Sequence, residues 1–189
     1  YEYYGSNLIH KTAEINWDKV ELGSGNKVGP YCVLGGDAEH KFYPSNGKIR
    51  IGNNNVFYSS VTVSLPTQLS KITTIYDRCV FMSSSIIHHD CLIEDDVTIS
   101  SNVSVGGNVI VMRGANIGMN AAIHQFTVVG AFSMLGMASC VTKQSVVVPG
   151  QKCVGVPVRD IGPNDVGLSR AAVTEGDLNF EIELMSIDE

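Results

Sequence analysis

The sequence predicts an all-β chain wound into a parallel β-helix of hexapeptide repeats, and three observations carry that reading. From Ile75 to Cys153 an apolar residue returns at every sixth position without a miss, through Phe81, Ile87, Ile93, Ile99 and Val105 to Val141 and Val147. The residue two places before it is usually small, as at Cys79, Ser85, Cys91, Ala115 and Ala121. The 189 residues are 44% hydrophobic and 17% charged, enough apolar material for one domain with a continuous core. A short unit repeated at fixed period cannot bury its own apolar face, so each hexad forms one wall of a coil and successive coils share an interior. Three hexads close one triangular coil, and equivalent points on neighbouring coils stack at roughly 4.8 Å.

Each element follows in order. Ile9 and Ile15, then Leu22, Val28 and Leu34 at six-residue spacing, open the walls in one phase, and Ile51, Phe57 and Val63 continue in another. Between them Gly35, Gly36, Pro44, Asn46 and Gly47 crowd together, so Gly35 to Arg50 reads as a loop, 35–50, that leaves the coil and returns. Long loops on a rigid scaffold often carry function, and this one holds Asp37, Glu39, His40 and Lys41. Leu69 keeps the phase, while Pro66 marks Ser64 to Ser70 as a stretch able to leave the wall. The hexad pattern ends after Pro157. Gly162-Pro163-Asn164-Asp165 reads as a turn into a short helix near Leu168 to Val173, and Glu175 to Glu189 as an acidic end cap or docking segment. The expected organisation is a β-helix over 1–160 and a short C-terminal helical or extended cap over 161–189, because the end of a repeat stack needs covering.

Composition narrows the function classes. No stretch approaches the roughly 18 uninterrupted apolar residues of a membrane-spanning helix. Tyr1-Glu2-Tyr3-Tyr4 lacks the basic-then-apolar layout of a signal peptide, and a start without Met reads as trimmed or tagged. A net charge of −6 argues against a general nucleic-acid surface, so an anionic ligand needs a local basic site. The five cysteines are odd in number, and Cys79, Cys91 and Cys153 fall on inward positions as small buried hydrophobes. That speaks against a disulfide framework and for a reducing compartment, the cytoplasm.

The histidines carry the chemistry. His88 and His124 each follow the inward aliphatic residue of a hexad and lie 36 positions apart, two coils, near 10 Å on one wall. His89 points outward beside them; plain surface histidine and a site built on the wall or at a subunit junction both fit. His89-Asp90 adds the acceptor that an imidazole needs on its second nitrogen to act as a neutral general base, although such pairs also arise by chance. Gly107, in Val105-Gly106-Gly107-Asn108, leaves a backbone N–H open to a developing oxyanion, but a tight turn is the simpler reading. Met112, Phe126, Phe132, Met134 and Met137 are outward yet apolar, as at an interface, an acyl groove or scattered surface positions.

Met82-Ser83-Ser84-Ser85-Ile86-Ile87-His88-His89-Asp90-Cys91, then Ala121-Ala122-Ile123-His124-Gln125-Phe126, then Gly167-Leu168-Ser169-Arg170 resemble the UDP-N-acetylglucosamine acyltransferases of lipid A biosynthesis. The likeness runs in one order from about Ile9 to Arg170. It implies a left-handed β-helix, a cytoplasmic homotrimer with no bound cofactor or metal, and transfer of a 3-hydroxyacyl group from acyl carrier protein to a sugar hydroxyl. His89 would then be the general base, Asp90 its orienting partner and Gly107 the oxyanion donor. His124 and Gln125 match positions lining the cleft, Glu39 and Lys41 an Asp and a Lys of the sugar-binding loop, and Asn164 and Arg170 nucleotide-side contacts. Met137 falls where family members tune acyl length. Ile86 and Asn108 replace cleft histidines of the family, and Val166 replaces an acidic residue near the nucleotide. The family continues into a basic helical domain, whereas this chain ends in an acidic tail, which weakens the case for acyl carrier protein. Shorter hexapeptide relatives acylate the amino group of nucleotide-linked sugars from coenzyme A thioesters, which keeps acyl-CoA and N-acylation open as the alternative. A zinc enzyme resembling the gamma-class carbonic anhydrases is a remoter reading, since no histidine follows His124 to complete the ligand set. A purely structural β-helix is the third.

Overall fold

Three stacked sheets form the walls of a left-handed triangular prism in the computed structural model, which describes residues 1–187. Wall A has ten strands, wall B seven and wall C six. The register confirms the coil length: Phe81 pairs with Ile99 on wall A, Ile87 with Val105 on wall B and Ile75 with Ile93 on wall C, each 18 positions on. The recurring apolar residues all point inward, and Phe57 and Phe81 stack ring on ring at 4.8 Å within the core.

The corners set the hand. From Arg78 to Ala138 every sixth residue has a positive φ of 55 to 66°, so one left-handed residue per corner turns the chain from one wall to the next. Connections between parallel strands are otherwise right-handed almost without exception. Here no crossover helix intervenes, and the repeated corner geometry decides instead.

Two excursions interrupt the first coils. Leu22 pairs with Ile51, 29 positions on, and Ile51 with Ile75, 24 positions on, so those coils carry eleven and six residues beyond the regular 18. The first excursion is shorter than the expected loop 35–50, because Gly35 and Gly36 end the strand Val33–Gly36 and Lys48 to Arg50 begin the strand Lys48–Ile51. The second is the stretch that Pro66 marks as able to leave the wall: Leu69, although in phase, is 50% exposed in the turn between Thr67 and Lys71.

Antiparallel strands close both edges of wall A. Glu2–Tyr4 pairs with Asn7–Ile9, and Arg159–Pro163 folds back on Gln151–Val154. The hexads do not announce this last strand, and the division expected at 160/161 falls inside it. The first helix, α1, spans Asp165–Arg170 and so begins upstream of the expected Leu168 to Val173; Asn164 caps it. The acidic tail forms α2, Glu175–Ile187, while its final residues Asp188 and Glu189 lie outside the described residues. α2 lies across the outer face of wall C and does not plug the end of the prism. Leu178 lies against Gly150, the buried Glu181 carboxylate accepts from Arg113, and Met185 lies beside Phe126, Val128 and Lys143. Met112, an outward position by the hexad rule, is only 5% exposed, next to the Arg113–Glu181 contact. All five cysteines are unpaired, and no described helix is long and apolar enough to cross a membrane.

Candidate active site

The chemistry-bearing residues gather at the corner between walls B and C. The strand Ile86–Ile87 ends wall B, His88 to Asp90 round the corner, and Leu92–Ile93 begins wall C. Both excursions land there. They are tied to each other by a bridge between Ser45 and Thr67, and the Asn46 N–H donates to the Pro66 carbonyl at 2.8 Å. Gly47 sits at the junction with φ +117°; a Cβ there would strike the Lys71 carbonyl, so only glycine lets the two loops close.

His89 does point away from the core, but it is only 4% exposed, not the open surface side chain its position suggests. The loops account for the difference. The His40 ring meets the His89 ring edge-on at a centroid distance of 5.2 Å, and His40 is itself held by Nδ1, which accepts from the N–H groups of Phe42 and Tyr43, and by stacking on Tyr43. On its other side the imidazole rests on Gly107. A Cβ at Gly107 would lie 2.4 Å from His89 Cε1 and 2.7 Å from Nε2. The left-handed corner residue is Asn108, not Gly107, so the turn itself makes no demand for glycine at 107; the close approach of the ring does. Among the described residues the Gly107 N–H has no acceptor.

His89 Nδ1 donates to Asp90 Oδ2 at 2.8 Å. The same carboxylate accepts from the Thr67 N–H at 3.0 Å, the Thr67 hydroxyl at 2.7 Å and the Ser70 hydroxyl at 2.7 Å. Burial pushes the Asp90 carboxyl up, but these hydrogen bonds together outweigh it and hold the group below its ordinary value. Asp90 is therefore an anion facing a donated Nδ1–H, which leaves Nε2 as the lone-pair nitrogen of His89. Thr67 and Ser70 were not legible as site residues, because they sit on the second excursion, marked in the sequence by Pro66 alone; His40 stood out only as part of a loop.

The remaining positions spread over the prism. Burial pulls His88 below its ordinary value, with the nearby Glu39 opposing the shift. Lys41 is exposed, its ammonium 5.2 Å from the Phe42 ring. Ile87, Val105 and Ile123 are successive partners on wall B, so His124 stands two coils above His88, about 10 Å away and too far to share one zinc ion within a chain. His124 and Gln125 are exposed on this corner, and His124 Nδ1 donates to the Gln125 carbonyl. Met137, 66% exposed, follows the wall A strand Met134–Leu135 and so occupies the corner between walls A and B. Asn164 is a buried structural group here: its amide donates to the Phe132 carbonyl and its oxygen accepts from the Gly167 N–H. These bonds fix α1, with the exposed Arg170 at its end, to the corner between walls C and A. A surface concavity of about 690 Å³ over the outer face of wall C is lined by Glu21, Arg50, Ile72 and Tyr76 and does not contain His89.

Fold and corner together define a hexad-repeat β-helix protein with a buried His–Asp pair roofed by inserted loops. No protein-family model matches the chain. It is similar to an acyl-[acyl-carrier-protein]–UDP-N-acetylglucosamine O-acyltransferase of Synechocystis sp., at 32% identity over 76 residues that cover 40% of this chain and 28% of that protein. The enzyme of the same name from Anaeromyxobacter sp. is 34% identical over 79 residues, 40% of this chain and 30% of the relative. The matching segment thus spans less than a third of either relative. Among solved structures, LpxA from Acinetobacter baumannii superposes with a TM-score of 0.78 over 95% of this chain and 81% of that one, at 23% identity, a likeness of fold.

Proposed function

We propose that the chain is an acyltransferase that moves an acyl group, of the 3-hydroxyacyl kind, from a thioester of acyl carrier protein or coenzyme A to a hydroxyl of a UDP-N-acetylglucosamine-type nucleotide sugar. The observation that carries the proposal is the His89–Asp90 pair, with Nδ1 anchored at 2.8 Å and the ring seated on Gly107. Nε2 takes the proton of the attacking hydroxyl as the oxygen adds to the thioester carbonyl. The Gly107 N–H meets the oxyanion, and on collapse the carbon–sulfur bond breaks and the His89 proton passes to the leaving thiolate. General-base assistance is worth about 10²–10⁴ in rate and an oxyanion donor about 10²–10³. His40, its ring 5.2 Å from that of His89, borders the approach of the acceptor.

We further propose a homotrimer with the corner between walls A and B turned inward. What supports it is charge: from Gly29 to Ala138 that corner and the outer face of wall B, through Val33, Thr62, Ile86, Ser104, Ala122 and Cys140, hold no Lys, Arg, Asp or Glu. Copies packed this way set the wall B–C corner of one, with His89, beside the wall C–A corner of the next, with Asn164 and Arg170. The apolar Met137 then lies along the inner reach of the same cleft, suited to the far end of an acyl chain. The unpaired cysteines suit the cytoplasm.

The deciding experiment follows thiol release from 3-hydroxyacyl-carrier protein and from 3-hydroxyacyl-CoA in the presence of UDP-N-acetylglucosamine. Release that His89→Ala abolishes is the expected result. A His89→Ala enzyme at full rate, or a wild type inert with both donors, overturns the proposal, and release only with an amino-sugar acceptor turns it to N-acylation.

A further inference from the structure

We propose that Thr67 and Ser70 are positioning residues: the six-residue excursion that carries them exists to clamp the Asp90 carboxylate, so that His89 keeps its proton on Nδ1 and offers Nε2 to the acceptor. The inference rests on the reading of His89 as general base and assigns it a supporting shell.

Asp96 shows what a corner aspartate does without a clamp. Asp90 and Asp96 occupy equivalent left-handed corner positions, with φ of 62° and 60°. Asp96 reaches into solvent, where its side chain is 55% exposed and pairs with Arg78. The Asp90 side chain is 0% exposed. Nothing in the hexad itself accounts for the difference; the excursion does. Thr67 spans both carboxylate oxygens, N–H to Oδ1 and hydroxyl to Oδ2, and Ser70 adds a second donor on Oδ1.

The Ser70 hydroxyl lies 2.7 Å from Asp90 Oδ1 and also 2.7 Å from the Ile72 carbonyl, yet it has one proton to give. The anion takes it, since a charged acceptor forms the stronger bond. Thr73 closes the base of the excursion: its hydroxyl accepts the Asp90 N–H at 3.0 Å and donates to the Ser64 carbonyl. With Oδ1 saturated by Thr67 and Ser70, Oδ2 is aimed at His89 Nδ1. The other ionisable groups around the pair are His40 against the His89 ring, His88 with Glu39 beside it, and the buried Cys91 thiol on the His89 carbonyl. None of them donates to the carboxylate. A clamped anion at Nδ1 selects one tautomer, and the wrong tautomer leaves no lone pair at Nε2.

The test reads the tautomer directly. Protein labelled with ¹⁵N in its histidines is compared at pH 8 as wild type, Ser70→Ala, Thr67→Val and the double variant, with melting temperatures alongside. Wild-type His89 is expected in the Nδ1–H form, and the double variant is expected to show a substantial share of Nε2–H. In the thioester assay the double variant should lose about tenfold to hundredfold in kcat, the usual effect of removing an orienting partner, with KM within about twofold. Thr67→Ser and Ser70→Thr, which keep the hydroxyls, should restore most of the rate. If Thr67→Val fails to fold, Ser70→Ala decides alone, because Ser70 is exposed on its turn. An unchanged His89 tautomer in well-folded variants overturns the clamp. A shifted tautomer in a protein whose wild type releases no thiol upholds the clamp and sinks the acyltransferase reading instead.

Discussion

A few atoms around one imidazole decide whether this corner can do chemistry. The tightest constraint is steric: Gly107→Ala would put a methyl group 2.4 Å from His89 Cε1, so the ring must leave its seat or the backbone must shift. Thiol release should therefore fall at least about a hundredfold, the range expected when a base or an oxyanion donor is lost, while the melting temperature moves by only a few degrees. A variant with full activity would show that the ring seen against Gly107 is not the working one. The carboxylate makes a second demand. Asp90→Asn keeps the shape and tolerates the left-handed φ, but it removes the charge that holds Nδ1–H, and kcat should fall by about 10²–10⁴. It also changes acid stability with a definite sign. Since the folded carboxyl lies below its ordinary value, its stabilisation is complete above the unfolded pKa near 4 and disappears as pH falls through the folded one. Thermal melts between pH 2 and 6 should show a shallower acid loss in Asp90→Asn than in the wild type. By contrast, burial pushes the Cys79 and Cys91 thiols up to about 12, so both stay inert to alkylating reagents in the native protein.

Elements in this fold are corner stacks as much as strands, and their inner residues behave differently from coil to coil. At the corner between walls C and A, the first coils stack Asn7, Asn26 and Asn55 where later coils place Cys79, Val97 and Ala115. The asparagines form a buried ladder: Asn26 donates to Asn7, and Asn55 accepts from the Cys79 N–H at 2.7 Å and donates to the Tyr76 carbonyl. Asn55→Ala should cost about 1–3 kcal/mol, because it leaves a buried N–H and a buried carbonyl without partners. Ser85 is the opposite case, a fully buried hydroxyl with no partner among the described residues, and Ser85→Ala should be neutral or stabilise by up to about 1 kcal/mol. Denaturant midpoints of the two variants should move in opposite directions or in one only. The loops show why some elements were legible and others were not. The eleven-residue excursion breaks the six-residue phase between Leu34 and Ile51, so its existence could be read from the sequence, with an error of two or three residues at each end where the strand continues. The six-residue excursion preserves the phase, which is why Leu69 falls in step with the core while lying in the turn that clamps Asp90. His89 and Asp90 were legible as a pair because they are adjacent in sequence; their burial was not, because it comes from loops that start up to fifty positions earlier.

At the scale of the whole molecule, one prism spreads the proposed site residues over its three corners. His89, His124 and Gln125 lie on one corner, Met137 on a second, and Asn164 and Arg170 at the third, with full walls between them. Charge is distributed just as unevenly. The corner between walls C and A carries Asp77, Arg78, Asp95, Asp96 and Arg113, several of them in exposed ion pairs, whereas the corner between A and B carries none from Gly29 to Ala138. A solvated surface of this size ordinarily mixes charges throughout, and a charge-free face of small residues on a flat wall suits the contact proposed above. Ala122 lies one strand in from the C-terminal edge of that face, paired in register with Ser104 below and Cys140 above. An arginine there would have to desolvate against the neighbouring wall with no acidic side chain among the outward wall B residues from Val33 to Cys140 to meet it, so Ala122→Arg should prevent association. The side chain is exposed in the single chain, so the substitution should leave the monomer folded. Sedimentation should report three chains for the wild type and one for the variant, and thiol release should fall with association although every residue around His89 is intact. Cys140 supplies an internal check: as the half-exposed thiol on that face, it should resist labelling in the wild type and react in Ala122→Arg. A variant that still sediments as a trimer, or a monomer with undiminished activity, would place the contact on another wall and separate His89 from any need of a second copy.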